Sequence, residues 1–274
     1  MAHPLVRRVL APNPSPFTYT GTQTWIVGRG DVAVIDPGPD LPAHLDALSE
    51  ALAGERVAAI LCTHTHRDHS PAAAPLADRT GAAIVGCAPL SLEDDGPRAD
   101  ASFDPDYRPD RILSDGERVE GPGWTLQAVA TPGHTSNHLC FAFPEERILF
   151  TGDHVMGWST TIVSPPDGDM AAYMASLDRL LIRDDSAYYP AHGPIVEDPK
   201  AHVRALIAHR HERERQILSQ LEAGESRISA IVPRLYAETD PRLHPAAGRS
   251  VLAHLLDLEE RGLVRRDGDG WSLA

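Results

Sequence analysis

Residues 64–69 read His-Thr-His-Arg-Asp-His, four side chains able to bind a metal within six positions. Neutral imidazole and carboxylate oxygen are both donors to Zn²⁺. A lone histidine is more often a satisfied core residue than a ligand. Three histidines and an aspartate packed this tightly instead crowd donors that need a cation to share. His64 and His66 stand two apart, so on an extended segment both point to one side and can grip one ion. Asp68 and His69 follow the strand-like run Arg56–Cys62, where the chain must turn. Swung aside by that turn, they face a second ion. One segment then supplies half the ligands of a two-metal site, the arrangement in which hydrolytic dizinc centres clamp attacking and leaving groups.

The remaining ligands are expected far off in sequence, at strand ends that run into turns. Thr131-Pro-Gly-His134 follows the strand-like Trp124–Ala130, and its Pro-Gly pair forces a bend that presents His134. Thr151-Gly-Asp153-His154 follows the apolar run Ile148–Phe150, and Tyr188-Tyr-Pro-Ala-His192-Gly follows another short strand.

From about residue 12 to the C-terminus the chain resembles the metallo-β-lactamase fold hydrolases, on the ordered set HxHxDH, TPGHT, TGD and the PAHG histidine. The resemblance implies an α/β fold, a four-layer αββα sandwich. It also implies two Zn²⁺ per chain: His64, His66 and His134 on the first, Asp68, His69 and His192 on the second, and Asp153 bridging them. Redox members with two irons usually carry glutamate where this chain has His66, which points to zinc and hydrolysis. True β-lactamases of this fold carry cysteine at the place of Asp153 or lack the acidic bridge. An aspartate there is instead what the thioesterase, lactonase and nuclease branches have.

Composition narrows the partners. Before Leu206 there are 15 basic and 28 acidic residues, after it 10 and 11, for a net charge of −14 with a single lysine, Lys200. An acidic catalytic part is a poor nonspecific nucleic-acid surface, since phosphate binding relies on clustered Lys and Arg. Bound cations would reverse the field locally. The N-terminal residues hold no continuous apolar signal core and no stretch approaches a membrane span. A cytoplasmic enzyme without membrane attachment is expected. Cys62, Cys87 and Cys140 lie in apolar runs without CxxC spacing and read as reduced core residues.

Strands and helices alternate around these motifs. Thr24–Val27 and Val32–Ile35 form a hairpin pair, ended by the turn signal Asp36-Pro-Gly38. Leu41, Leu45, Leu48 and Leu52 recur at helical spacing with Gly54 as the stop. An alanine-rich helix over Pro71–Thr80 ends at Gly81, before the strand Ala82–Val85. Asp169 caps a helix with an apolar face of Met170, Tyr173, Met174, Leu177 and Leu181. Residues 89–110, with four prolines and six aspartates, read as a solvated loop, with a flap near the site as the other use. Trp158, Ser159, Thr160 and Thr161, just after Asp153, are the candidate substrate contacts: an apolar wall with hydroxyl donors. His202, His209 and His211 are spread among arginines on a helix near 199–221 and read as solvated surface.

The chain divides at 205/206 into a catalytic domain, 1–205, and a C-terminal domain, 206–274. From Ser226 a short helix, a second helix opened by Pro245, and a hairpin turning at Asp267–Gly270 have the layout of a winged helix. Such modules often read DNA. Here the second helix carries Arg249 followed by Leu, Ala and acids, a face suited to packing; the expected role is a scaffold completing the active-site rim or a homodimer. This layout, with Asn13-Pro-Ser-Pro-Phe, Gly21–Gly28 and His209–Leu218, resembles the β-lactamase-like protein 2 subfamily, whose animal member cleaves single-stranded RNA.

The function expected is a dizinc hydrolase of thioester, lactone or similar small acyl substrates. A hydroxide bridging the metals would attack the acyl carbon, with Asp68 orienting it as the catalytic carboxylate. The alternative is a single-strand-specific endoribonuclease. β-Lactam hydrolysis and a DNA-binding regulator using the tail come behind both.

Overall fold

The computed structural model describes residues 3–90 and 103–274. Two sheets form its centre. The first runs in the order β1 (Val6–Leu10), β2 (Gln23–Arg29), β3 (Asp31–Ile35), β4 (Arg56–Cys62), β5 (Ala83–Gly86) and β6 (Arg111–Ile112). The second holds β7 (Arg118–Gly121), β8 (Trp124–Ala130), β9 (Leu139–Phe143), β10 (Ile148–Gly152) and β11 (Ala187–Pro190), in the order β11-β10-β9-β8-β7.

Side-chain alternation explains why the sheets stack. On β9, Leu139, Phe141 and Phe143 enter the core between the sheets, while Cys140 and Ala142 enter a second core on the opposite face. On β10, Ile148 and Phe150 face inward and Leu149 outward. A strand apolar on both faces must be covered on both. Helices α1 (Pro42–Ala51) and α2 (Ala73–Thr80) cover the first sheet, and α3 (Met170–Leu181) and the first half of α4 (Pro199–Glu222) cover the second. This is the expected four-layer αββα sandwich. The leucine stripe is buried at Leu45, Leu48 and Leu52, Gly81 closes α2 in the left-handed region, and the Asp169 carboxylate accepts from the Ala172 N–H. The three cysteines are buried and unpaired.

The tail is the expected winged helix: α5 (Ile228–Leu235), α6 (His244–Glu260) and the hairpin β12 (Val264–Asp267) and β13 (Gly270–Leu273) around their own core of Val232, Val251, Leu255 and Trp271. The 205/206 division falls inside α4, whose Val203 and Leu206 pack with α3 while Ile217 and Leu221 pack with the tail.

Sequence reading misses β1, an edge strand whose Val-Arg-Arg-Val-Leu is only half-buried. Of the 89–110 loop, residues 91–102 lie outside the described residues. Its end is in part the expected solvated loop, with Pro105, Asp106, Arg108 and Asp110 exposed, but Tyr107 is buried and Phe103 bridges backbone to backbone with His66. Proline and aspartate content hides a segment whose few apolar side chains anchor it.

Strands β8, β10 and β11 run in one direction with β9 antiparallel between the first two. Their C-terminal ends therefore share one edge of the second sheet. β4 ends at the same edge of the stack, tied across by the Leu139 N–H to the Thr63 carbonyl at 2.8 Å. All four motif loops leave from that edge.

Candidate metal centre

The edge brings the seven expected residues into two groups, His64, His66, His134 and Asp153, and Asp68, His69 and His192, with donor atoms in each within 4.8 Å of one another. The local backbone demands the small residues around them. At Gly133, φ is +137° and an added Cβ would lie 2.3 Å from the Tyr173 Cα. At Gly152, φ is +49° and a Cβ would lie 2.7 Å from the Thr63 hydroxyl and from His138 Nε2. Only glycine lets the His134 and Asp153 loops approach this closely.

In the first group, His64 Nε2 lies 3.0 Å and His134 Nε2 3.1 Å from His66 Nδ1. Their partners settle the tautomers. The Thr63 hydroxyl donates to the Asp36 carboxylate, so its oxygen accepts from His64 Nδ1–H at 3.0 Å. His134 Nδ1–H donates to the Ile162 carbonyl at 2.7 Å. Both Nε2 lone pairs therefore point at His66 Nδ1. One proton at most can sit among the three nitrogens, whereas a cation satisfies all three at once. Burial holds the His64 pKa well below its ordinary value and pushes that of His66 down to about 3, so further protons are kept out.

In the second group, Asp68 Oδ2 lies 3.3 Å from His69 Nε2 and 3.2 Å from His192 Nε2. Asp153 Oδ1 lies 3.5 Å and 3.2 Å from the same two nitrogens, while its Oδ2 is 3.7 Å from His134 Nε2. One carboxylate thus faces both groups, the placement a bridge requires. Burial opposes ionisation of Asp68 and Asp153, but the imidazoles of His69 and His192 hold both carboxyls well below the usual range. Reciprocally, burial opposes charge on His69 and His192, and the two carboxylates outweigh it, raising His192 to about 10. This half calls for positive charge, from protons or from a bound cation. His69 Nε2 and Asp153 Oδ1 are buried without a hydrogen-bond partner, as open metal donors would be. The donor set fits two metal ions.

Outer partners fix the rings, as the groups behind the ligands of metal sites do. Asp36 accepts from the Thr63 N–H at 2.8 Å and from His69 Nδ1–H at 3.0 Å. Thr22 donates to Asp68 Oδ2 at 2.9 Å, and the Gly21 carbonyl accepts from His192 Nδ1 at 3.4 Å. In the sequence Asp36 carries only a turn signal, and no motif marks Thr22. The available sign was an acid at a strand end, whose carboxylate must find donors once buried.

His66, Asp68, His134, Asp153 and His192 line a small cavity of about 40 Å³ with Phe17, Thr18, Met156, Thr161 and Ile162. Trp158, Ser159, Thr160 and Thr161 line an adjoining cavity of about 320 Å³. Trp158 is exposed and stacks on Tyr19, ring centroids 5.0 Å apart, a partner sequence reading missed. The Thr161 hydroxyl donates to the Asp153 and His154 carbonyls, so it shapes the loop after Asp153. The histidines of α4 are not uniformly solvated: His211 is exposed, but His202 bonds the Met156 carbonyl at 3.1 Å and His209 is half-buried.

Residues 18–192 match the Metallo-beta-lactamase superfamily and residues 228–271 the beta-lactamase associated winged helix domain. A beta-lactamase-like protein 2 homolog of Caenorhabditis elegans is 32% identical over 266 residues, 94% of this chain and 85% of that one. An atrochrysone carboxyl ACP thioesterase of Aspergillus chevalieri is 36% identical over 227 residues, 82% of this chain and 68% of that one. A metallo-beta-lactamase family protein from Thermus thermophilus, known from its crystal structure, aligns over 99% of both chains with a TM-score of 0.79 and 23% identity, a likeness of fold. Motifs, fold and relatives agree: the chain belongs to the metallo-beta-lactamase superfamily, with the winged helix domain associated with that fold at its C-terminal end.

Proposed function

We propose that this hydrolase works with two zinc ions and cleaves small acyl substrates, thioesters or lactones. The observation that carries the reading is the Asp153 carboxylate set between two complete donor groups on a small cavity. His64, His66 and His134 would hold one ion, Asp68, His69 and His192 the other, and Asp153 both. Bound zinc would supply a polarised carbonyl and a water acidified to react near neutral pH.

The chain's own groups do the rest. Asp68 is the member of its trio that is not fully buried and it lines the cavity. Its Oδ2 is engaged by Thr22, which sets the plane of the carboxylate. From there it holds a proton of the attacking water and aims its lone pair at the acyl carbon. Phe17, Met156 and Ile162 exclude bulk solvent from the same space, strengthening every polar contact inside it. On this reading the catalytic unit is 1–205 and the winged helix region is 206–274, with α4 shared. The acyl reading takes support from the thioesterase relative, and a cytoplasmic location goes with it; no described helix is long and apolar enough to cross a membrane.

A single-strand-specific endoribonuclease is the second reading, favoured by the exposed Tyr19–Trp158 stack, a surface on which a base could lie. Metal analysis and turnover by the purified zinc-loaded protein test both. Two zinc ions per chain and cleavage of a thioester or lactone in preference to single-stranded RNA and a β-lactam are expected. RNA cleavage with inert acyl compounds, or a site selective for iron, would overturn the first reading.

A further inference from the structure

The cavity of about 320 Å³ lies between the catalytic region and the winged helix. Its walls combine the loop after Asp153 with α4 and with α6 and the segment before it. It shares Phe17, Met156, Thr161 and Ile162 with the metal cavity, so the two spaces are continuous. In size it suits the remote part of a small ligand.

Its charge is opposite to that of the chain. The net charge is −14, yet the described residues lining this cavity include Arg210, Arg213 and His209 and no Asp or Glu. Arg210 is 3% exposed. It donates to the Thr161 carbonyl and lies over the Tyr173 ring, 5.1 Å from its centroid. Arg213 lies over the Tyr236 ring at 4.1 Å and donates to Gln216 Oε1 and the Leu235 carbonyl. Among the described residues neither guanidinium has a carboxylate at ion-pair distance. Arg210 Nε, Arg213 Nε and His209 Nδ1 are buried without a hydrogen-bond partner. Burial, and then the two arginines, hold the His209 pKa below its ordinary value, a mark of the positive potential here. A buried, unpaired guanidinium is costly, and its planar fork matches an oxyanion.

We propose that this cavity is an anion subsite: Arg210 and Arg213 receive a carboxylate or phosphate of the substrate whose acyl group reaches the metal centre. The proposal rests on the acyl-hydrolase reading for the substrate, but the anion site itself does not. It also gives the winged helix a task, since α6 and Tyr236 close a wall of the substrate cavity.

Calorimetric titration of the zinc-loaded protein with glutarate, inorganic phosphate and neutral glutaramide is the test, on wild type, Arg213→Met, Arg213→Lys and Arg210→Met. The metal centre is common to all four, so differences report the arginines. Loss of a charge-assisted contact weakens binding about tenfold to a hundredfold. Arg213→Met, which keeps the stem over Tyr236, is expected to weaken glutarate or phosphate by that factor while Arg213→Lys recovers part. Whichever anion responds names the group. The ratio of kcat/KM for a thioester with a free distal carboxylate to that of its methyl ester is expected to fall at least as far. Affinities equal in Arg213→Met and wild type overturn the subsite, as does binding no stronger than that of glutaramide. So does a loss confined to single-stranded RNA titrated alongside these three, which would give the cavity to a nucleic acid. If no acyl compound is turned over, the acyl reading fails while the titration still decides the subsite.

Discussion

Asp36→Asn separates fold from metal binding. The Asp36 side chain is 2% exposed and serves Thr63 and His69 together. Asparagine is nearly isosteric, and its carbonyl can still accept from the Thr63 N–H and hydroxyl. Its NH₂ then faces His69 Nδ1, where two donors cannot meet. The imidazole must take the other tautomer, placing a proton on Nε2, the atom 3.3 Å from Asp68 Oδ2 and 3.5 Å from Asp153 Oδ1. That proton occupies the direction the second ion needs. Loss of such an orienting partner weakens metal affinity by about 10- to 100-fold, or about 1.4–2.8 kcal/mol. The fold should lose only about 1–2 kcal/mol, a fall in Tm of a few degrees. Competitive zinc titration against a chromophoric chelator should show one ion held as in wild type and one weakened by that factor. Two ions bound with wild-type affinities would refute the tautomer argument, and so would equal weakening of both. Asp36→Ala, which leaves three buried donors without acceptors, should lower Tm much further.

Asp68→Asn should keep Tm within a few degrees and lower kcat by about 100-fold or more, measured on whichever substrate is found; full activity would remove Asp68 from the catalytic role. Gly133→Ala should destabilise by about 3 kcal/mol in urea unfolding, because the new Cβ meets the Tyr173 backbone at 2.3 Å and φ is +137°. His254 is buried with neither ring nitrogen partnered, and burial followed by Arg210 and Arg213 lowers its pKa from 6.5 to about 3. The unfolded chain binds this proton first, so its effect is absent above about pH 6.5 and costs stability as pH falls toward 3. At pH 5 the cost is about 2 kcal/mol, and His254→Gln should reduce the pH 7-to-5 loss by that amount; equal losses in the two proteins would show that His254 is protonated when folded.

The strands and the candidate donor set were legible for different reasons. Ile148–Phe150 is buried on both faces, and Trp124–Ala130 alternates buried Trp124, Leu126 and Ala128 with half-buried Thr125 and Gln127, so both patterns point to strands. The Pro-Gly and Thr-Gly punctuation then locates His134 and Asp153 at their ends. The edge strand Val6–Leu10 was not legible, because only Val6 is fully buried and two arginines interrupt its apolar residues. Nor was the role of α4. Its Arg210 and His209 look like solvent-facing residues in a helix of mixed charge, and only the packing of α4 against α3 and α5 takes such residues from water. Long polar side chains leave no periodic signature of burial, since their stems pack while their heads seek partners.

What the sequence by itself determined is the donor chemistry. Few side chains bind a cation, and their spacing along an extended segment sets which of them can share one. The tertiary structure decided the rest of the site. Asp36 fixes the His69 ring, Thr22 engages Asp68, and the Gly21 carbonyl holds His192, all across gaps no local pattern spans. The arginine-lined cavity needs Phe17, Met156, Arg210 and Tyr236 side by side. Such a surface exists only after two sheets stack and a separate core docks against them. The contacts that create it are set by packing between elements, whereas the ligand motifs are set by geometry within one.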